Sequence, residues 1–329
     1  MKTIFISGAT GYVAQHIIKL LLQEGYSVVG SVRSTTKGEK LKERFNSENF
    51  NYEVVEKLEN AGAFDQSLIN HPEIDAFIHT ASPVIMNAVD PVKDTMIPAL
   101  EGTMNALNAI HAHGKNIKKV VFTSSYVALA DLLNPGTAAT EDSWNSVTWE
   151  QALKDGRLAY YASKKYAEMA VWDYVQQNKV NFSVTSINPA YVFGPQAFDV
   201  DAKGTLNLSA DMICSLLKLK DGDEIPTKRR PFIDVRDLAK AHILAIENEY
   251  GGERLLLAES NFSLQSALNI IREQFPHLHL PSGNPDADGT DDLFDNTKTR
   301  QLLGFELTDL ETSVHDMIAQ YLNNDKGIF

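Results

Sequence analysis

A doubly wound parallel α/β sheet, joined to a smaller, irregular and mostly helical C-terminal lobe, is the fold this 329-residue sequence predicts. Three observations carry that prediction. Short apolar runs alternate with helical patterns from Thr3 to Asn188. A glycine-rich turn joins the first run to the first helix. Beyond Pro189 the alternation gives way to irregular segments containing Gly, Pro, Asp and Lys.

The elements follow in order. Thr3–Ser7 is an apolar run stopped by Gly8 and reads as the first strand. From Val13 to Glu24, Val13, Ile17, Leu20 and Leu21 recur at the spacing of an amphipathic helix, which Gly25 ends. Ser27–Val32 is a second strand, Lys37–Phe45 a charged helix and Tyr52–Val55 a third strand. Ala76–Thr80 and Lys119–Ser124 supply the fourth and fifth, and a helix over Tyr166–Gln177 leads to a sixth at Val184–Asn188. Strand, helix and strand in repetition require parallel pairing with right-handed crossovers. Residues 194–230 carry one helix, Asn207–Leu219, before a strand at Pro231–Asp234 and a helix at Val235–Glu247. The tail, 262–329, holds two or three helices around a polar stretch at 281–292.

Composition excludes several function classes. Lys+Arg number 30 and Asp+Glu 43, a net charge of −13. Phosphodiester backbones and anionic headgroups both need cationic surfaces, so neither nucleic acid nor a membrane is an expected partner. The one cysteine, Cys214, permits no internal disulfide. The opening apolar run is too short for a signal-peptide core, and no 18-residue apolar stretch follows, so a cytoplasmic protein is expected. Among nine histidines, His111 and His113 project about 200° apart on a helix. With neither HExxH nor a Cys/His cluster, no metal is expected. The basic run Lys228-Arg229-Arg230 reads as a solvated turn, and Trp144 and Trp149 as packing down the 134–143 loop.

The turn Gly8-Ala9-Thr10-Gly11-Tyr12-Val13-Ala14 lies between a strand and a helix. Gly8 permits a tight turn, Gly11 lets backbone approach a pyrophosphate, and Ala14 lets helix and strand pack closely. The helix N-terminus then offers free N–H groups to phosphates. Together these features read as a Rossmann-type dinucleotide site. At the end of the second strand an acid would bind the ribose 2′-OH of NAD, but Arg33 stands there, with Lys37 one turn later. A guanidinium can fork onto a 2′-phosphate, so the expected cofactor is NADPH/NADP+.

The fifth strand ends in Thr123-Ser124-Ser125-Tyr126, at the edge where such sheets bind ligands. Downstream comes Tyr160-Tyr161-Ala162-Ser163-Lys164-Lys165-Tyr166-Ala167-Glu168. A tyrosine and a lysine four apart share a helix face, and the ammonium is expected to lower the phenol pKa from about 10. A serine hydroxyl completes a two-donor site for a carbonyl oxygen. Two registers fit this spacing equally, Tyr160/Lys164 and Tyr161/Lys165.

These motifs, with His79-Thr80-Ala81-Ser82-Pro83, Glu141-Asp142-Ser143-Trp144, Asn188-Pro189-x-x-Val192-x-Gly194-Pro195, Phe232-Ile233-Asp234-Val235-Arg236-Asp237 and Asp295-Asn296-Thr297-Lys298-Thr299, span nearly the whole chain. Their combination resembles the extended short-chain dehydrogenases/reductases. Within them the chain is similar to the dihydroflavonol-reductase-like branch that includes the yeast NADPH-dependent methylglyoxal/3-methylbutanal reductases. The resemblance implies reduction of small-molecule aldehydes and ketones, with Tyr160 as proton donor, Lys164 as its partner and Ser125 as the carbonyl-orienting hydroxyl. It implies a cofactor site formed by Gly8, Thr10, Gly11, Tyr12, Val13, Thr80 and Ala81, with Arg33 and Lys37 at the 2′-phosphate. By the same resemblance Pro189 and Val192 are expected to border the nicotinamide, and the segment of Ser209 to approach the adenosine phosphate. The family's Asp after the third strand is replaced by Lys57, in Glu56-Lys57-Leu58, leaving the Leu58 backbone to meet the adenine.

Tyr161, Gln196 and Phe198 are expected to line the substrate pocket, with Val84, Tyr126 and Met212 beside them or in the core. The expected organisation is a cofactor-binding domain over 1–189 with a return segment near 231–260. Residues 190–230 and 261–329 then form the substrate lobe. Monomer and homodimer both fit. A dihydroflavonol or cinnamoyl-CoA-type reductase is the nearest alternative. A nucleotide-sugar epimerase or dehydratase conflicts with Arg33, and a non-enzymatic NADP sensor would not need the Ser–Tyr–Lys set.

Overall fold

The computed structural model describes residues 2–82, 90–131, 133–134, 136–204, 206–284 and 293–323. Strand β1 (Thr3–Ser7) leads through α1 (Tyr12–Gln23) to β2 (Ser27–Val32), then α2 (Thr35–Phe45) and β3 (Phe50–Val54). Helix α3 (Asp65–Asn70), β4 (Ile74–His79), α4 (Ile97–His113) and β5 (Lys119–Thr123) continue the alternation. After α5 (Trp149–Ala152), α6 (Gly156–Gln177) runs to β6 (Ser183–Pro189) and the short β7 (Tyr191–Phe193). The remainder comprises α7 (Leu208–Cys214), β8 (Arg230–Asp234), α8 (Val235–Glu247), β9 (Arg254–Leu257) and β10 (Ser260–Phe262). Three helices close the described chain: α9 (Leu264–Gln274), α10 (Thr297–Leu303) and α11 (Leu310–Asn323).

Seven strands pair in the order β3-β2-β1-β4-β5-β6-β9, all parallel. The chain reverses its winding between β1 and β4, and that switch point opens a crevice at the carboxyl ends of the strands. Both sheet faces are covered, which explains why the strands are near-continuous apolar runs. Ile4 and Ile6 of β1 pack with Ile17, Leu21 and Leu238 of α1 and α8 on one face. Phe5 points to the other, among Phe77, Leu107, Ile110 and Val171 against α4 and α6.

The sequence reading differs from the structure in four places. Helix α6 starts at Gly156, ten residues before Tyr166, because the Asp155 carboxylate caps it by accepting from the N–H groups of Arg157 and Leu158. The strand at 230–234 does not return to the large sheet. It pairs with β7 and β10 in a separate three-stranded sheet, around Phe193, Phe232 and Phe262, one from each strand. The returning elements are α8, on α1, and β9, the seventh strand. Helix α10, within the tail assigned to the smaller lobe, packs Leu303 into the large-sheet core, and Thr299 Oγ1 accepts from the N–H of Leu256 on β9. The helix read over Asn207–Leu219 tightens to a 3₁₀ turn at Ser215–Lys218.

Candidate active site

The glycine turn sits at the switch point. Gly8 takes φ +72°, and a side-chain carbon there would stand 3.1 Å from both Cα and Cβ of Ala81, so only glycine fits. The Gly11 N–H closes the turn on Gly8 O at 2.8 Å, and Gly11 starts α1 without a side-chain cap. Ser7 Oγ accepts the N–H groups of Thr80 and Ala81, each at 3.0 Å. Thr80 and Ala81 are thereby fixed against the turn. The hydroxyl proton is left for His79 Nδ1 at 3.0 Å, which puts the ring proton on Nε2. Burial holds His79 neutral, its pKa lowered to about 3.

Thr10 is exposed and Val13 packs into the large-sheet core. The Tyr12 phenol donates to Gly194 O at 2.8 Å, tying the turn to the segment after β7. Arg33 and Lys37 stand exposed at the end of β2 and the start of α2, where the Ser34 side chain caps the helix. Neither cation has a hydrogen bond or ion pair with a described residue. The Leu58 side chain fills a notch at Gly102 of α4, where an added Cβ would come 1.6 Å from Leu58 Cδ1. Its carbonyl accepts from Asn105 Nδ2 at 3.0 Å, and Lys57 beside it is exposed.

Ser125 follows β5 and caps the 126–128 turn, accepting from Val127 N at 3.3 Å. Tyr160 and Lys164 occupy successive turns of α6. Burial pushes Tyr160 up to about 12; Ser125, close to the phenol, pulls the other way, while Tyr191 and Tyr161 add to the rise. The lowering expected from Lys164 does not appear: Ser125 supplies the downward pull on the phenol, and burial exceeds it. Lys164 is 7% exposed and has no hydrogen bond or ion pair with a described residue; burial lowers it to about 8. Lys165 behaves differently, donating to Asn145 O at 3.0 Å and Val147 O at 2.8 Å.

Not every expected pocket residue reaches this centre. Tyr161 lies edge-on to Tyr160 at 6.5 Å, and Tyr126 acts electrostatically with Tyr161 while donating to Leu293 O. Pro189 is buried at the end of β6. Ser209 Oγ donates to Val192 O at 2.6 Å, so that hydroxyl holds backbone. Met212 packs with the small-lobe core. Gln196 and Phe198 stand elsewhere. The Lys19 ammonium donates to Ala197 O at 2.8 Å and His16 Nε2 meets Pro195 O, drawing the chain along α1. Gln196 pairs through its backbone with Gln320, and Phe198 packs on Phe45 between Lys19 and Arg44. Val84 lies outside the described residues.

Sequence reasoning missed Glu168, Asn188 and Arg254 as a buried polar cluster beneath Ser125. The available signal was an acid four residues after Lys164, between Ala167 and Val171 on a buried helix face. Tyr191 was missed because β7 is three residues long. No helix among the described residues is long and apolar enough to cross a membrane. Among them, no group of three or more His, Cys, Asp or Glu is arranged to hold a metal.

Residues 4–258 match the model of the NAD dependent epimerase/dehydratase family. A Candida albicans protein, GRP2, is 49% identical over 335 residues, covering 97% of this chain and 98% of its own. The NADPH-dependent methylglyoxal reductase GRE2 of Saccharomyces cerevisiae is 40% identical, with 97% and 98% covered. The crystal structure of Gre2 from Candida albicans in complex with NADPH superposes with a TM-score of 0.95, at 44% identity, over 99% of this chain and all of that one.

Proposed function

Because this chain belongs to the NAD dependent epimerase/dehydratase family, we propose that it is an NADPH-dependent reductase of small aldehydes and ketones, of the extended short-chain dehydrogenase/reductase kind. The observation that carries this reading is Lys164, a largely buried side chain whose ammonium has no hydrogen bond or ion pair with a described residue, one helical turn from a tyrosine that faces Ser125. The dinucleotide fits the residues present. Gly8 and Gly11 open the turn to a pyrophosphate, and Arg33 and Lys37 are exposed cations with no ion pair to a described residue, suited to a 2′-phosphate. Lys164 has donors for ribose hydroxyls. Relatives named for NADPH dependence support the same choice.

When bound, the cofactor supplies the hydride that adds to the carbonyl carbon. Ser125 donates to the carbonyl oxygen and orients it. Tyr160 gives that oxygen its proton, and its raised pKa keeps the phenol protonated until transfer. Lys164 stabilises the phenolate left behind, supplying the charge that burial otherwise denies. Tyr161 and Tyr126 form apolar walls. Residues 1–189 with α8 and β9 hold the cofactor, and the three-stranded sheet with α7, α9 and α11 bounds the substrate side. The buried single cysteine suits a cytoplasmic enzyme, acting as a monomer or homodimer.

The test is loss of NADPH with methylglyoxal, 3-methylbutanal and an aryl ketone for wild type, Tyr160→Phe and Tyr161→Phe. Turnover that falls by about 10²-fold or more in Tyr160→Phe alone supports the reading. Turnover surviving in Tyr160→Phe and lost in Tyr161→Phe overturns the register. Tight NADPH binding with no turnover on any substrate favours a sensor.

A further inference from the structure

Beneath Ser125 lies a polar cluster that the chemistry above does not use. Glu168 is fully buried, and all four of its acceptor positions are occupied. Oε2 accepts from Ser124 Oγ at 2.5 Å and from Asn188 Nδ2 at 2.7 Å. Oε1 accepts from Arg254 Nε at 2.7 Å and Trp172 Nε1 at 3.4 Å. Arg254 is itself held, donating through Nη1 to the carbonyls of Glu141 and Ser143, each at 2.7 Å, and lying 3.8 Å from the Trp144 ring centre. Asn188 also donates to Ser125 O at 3.3 Å and accepts from Ser186 Oγ at 3.0 Å. One carboxylate therefore joins three walls of the site: the end of β5 at Ser124-Ser125, the end of β6 at Asn188, and the helix that carries Tyr160 and Lys164.

A buried ion pair contributes little net stability, because desolvation offsets the Coulomb gain. Its clearest consequence is geometric. The carboxylate fixes the side chain before Ser125 and, through Asn188, the carbonyl of Ser125. It does so from a point one turn beyond Lys164 and two turns beyond Tyr160 on the same rigid helix. We propose that Glu168, anchored by Arg254, is the positioning residue that holds Ser125 in register with Tyr160 for carbonyl reduction. This rests on the reductase reading. Glutamine cannot replace it. With its one oxygen turned to Ser124 and Asn188, its amide would face the Arg254 Nε–H, donor against donor.

The experiment compares wild type, Glu168→Gln and Ser124→Ala. It measures kcat and KM for the carbonyl, NADPH affinity by fluorescence, thermal unfolding, and the pH dependence of the reverse alcohol oxidation. A displaced Ser125 lowers kcat by about tenfold to a hundredfold in Glu168→Gln, since misplacement of about 1 Å costs on that scale. NADPH affinity stays within about threefold, a change of less than 1 kcal/mol. The Tyr160 limb of the oxidation profile moves to higher pH, because Ser125 no longer pulls that pKa down. A kcat equal to wild type overturns the proposal. So does a loss that follows the unfolded fraction while the limb stays put. Should Glu168→Gln fail to fold, Ser124→Ala removes one donor only: a severalfold lower kcat at wild-type melting temperature supports the proposal, and an unchanged kcat overturns it. Absence of Tyr160-dependent turnover in wild type is a separate result, which defeats the reductase reading itself and this inference with it.

Discussion

Lys164 and Lys165 are adjacent on α6 and opposite in commitment: Lys165 is tied to the carbonyls of Asn145 and Val147, while Lys164 is buried with no hydrogen bond or ion pair to a described residue. Lys165→Met therefore loses about 1–3 kcal/mol of stability by stranding those carbonyls, and its kcat/KM stays near wild type. Lys164→Met does the reverse. It loses turnover, yet melts no lower than wild type at neutral pH without cofactor, because a desolvated ammonium is gone. Lys164 falls from 10.5 to about 8 on folding, so between those values the unfolded chain binds a proton that the folded chain does not. Wild-type stability should rise with pH across that window, and Lys164→Met should lack the rise. Urea unfolding against pH for both proteins checks it.

Among the described residues Arg33 and Lys37 have no ion pair and both are exposed, so removing them strands no described charge. Arg33→Ala should weaken NADPH binding by about 10- to 100-fold, the loss of one charge-assisted, forked contact of 1.5–3 kcal/mol. NADH binding and thermal stability should change little. Fluorescence titration with both cofactors decides this, and equal losses for the two would remove the 2′-phosphate assignment.

Gly102 is a packing glycine. A methyl group there would overlap Leu58 Cδ1, so Gly102→Ala must expel the Leu58 side chain or shift α4, at a cost of about 1–3 kcal/mol. Since Leu58 follows β3 on the side expected for the adenine, NADPH affinity should fall with stability while kcat at saturating cofactor is kept. A melting temperature equal to wild type would contradict the overlap.

Three histidines are held neutral by burial: His16 and His242 at about 4 and His79 at about 3. Below pH 6.5 the unfolded chain protonates these rings and the folded chain does not. Stability from these groups is therefore complete above about pH 6.5 and falls towards pH 4, by up to about 1.4 kcal/mol per pH unit for each. His242→Gln keeps polar contacts to Thr123 and Leu238 without titrating, and should flatten the slope by about one proton. Denaturant titrations between pH 4 and 7 measure it.

The doubly wound sheet was legible in the sequence because two-sided burial forces apolar strands, and parallel pairing forces helices between them. The glycine turn was legible for a similar reason: the left-handed backbone at Gly8, crowded by Ala81 at 3.1 Å, favours glycine. Short elements were not. Strands β7, β9 and β10 have three or four residues, too few for a periodicity, and their partners lie far away along the chain. Gln196 and Phe198 follow the Pro189–Pro195 motif closely in sequence, yet His16 and Lys19 draw that stretch onto α1.

The sequence by itself determined which residue types are present and at what spacing: a glycine turn between strand and helix, cations in place of an acid after β2, and a serine, tyrosines and lysines spaced as a carbonyl site would need. Spacing left Lys164 and Lys165 equivalent and the family pattern favoured Lys164; the tertiary structure showed that Lys165 is tied to carbonyls, and only it placed Glu168 under Ser125. Spacing along a helix says which side chains share a face. Whether a charge on that face meets a carbonyl, a carboxylate or nothing depends on segments distant in the chain, and those are brought together only when the core closes.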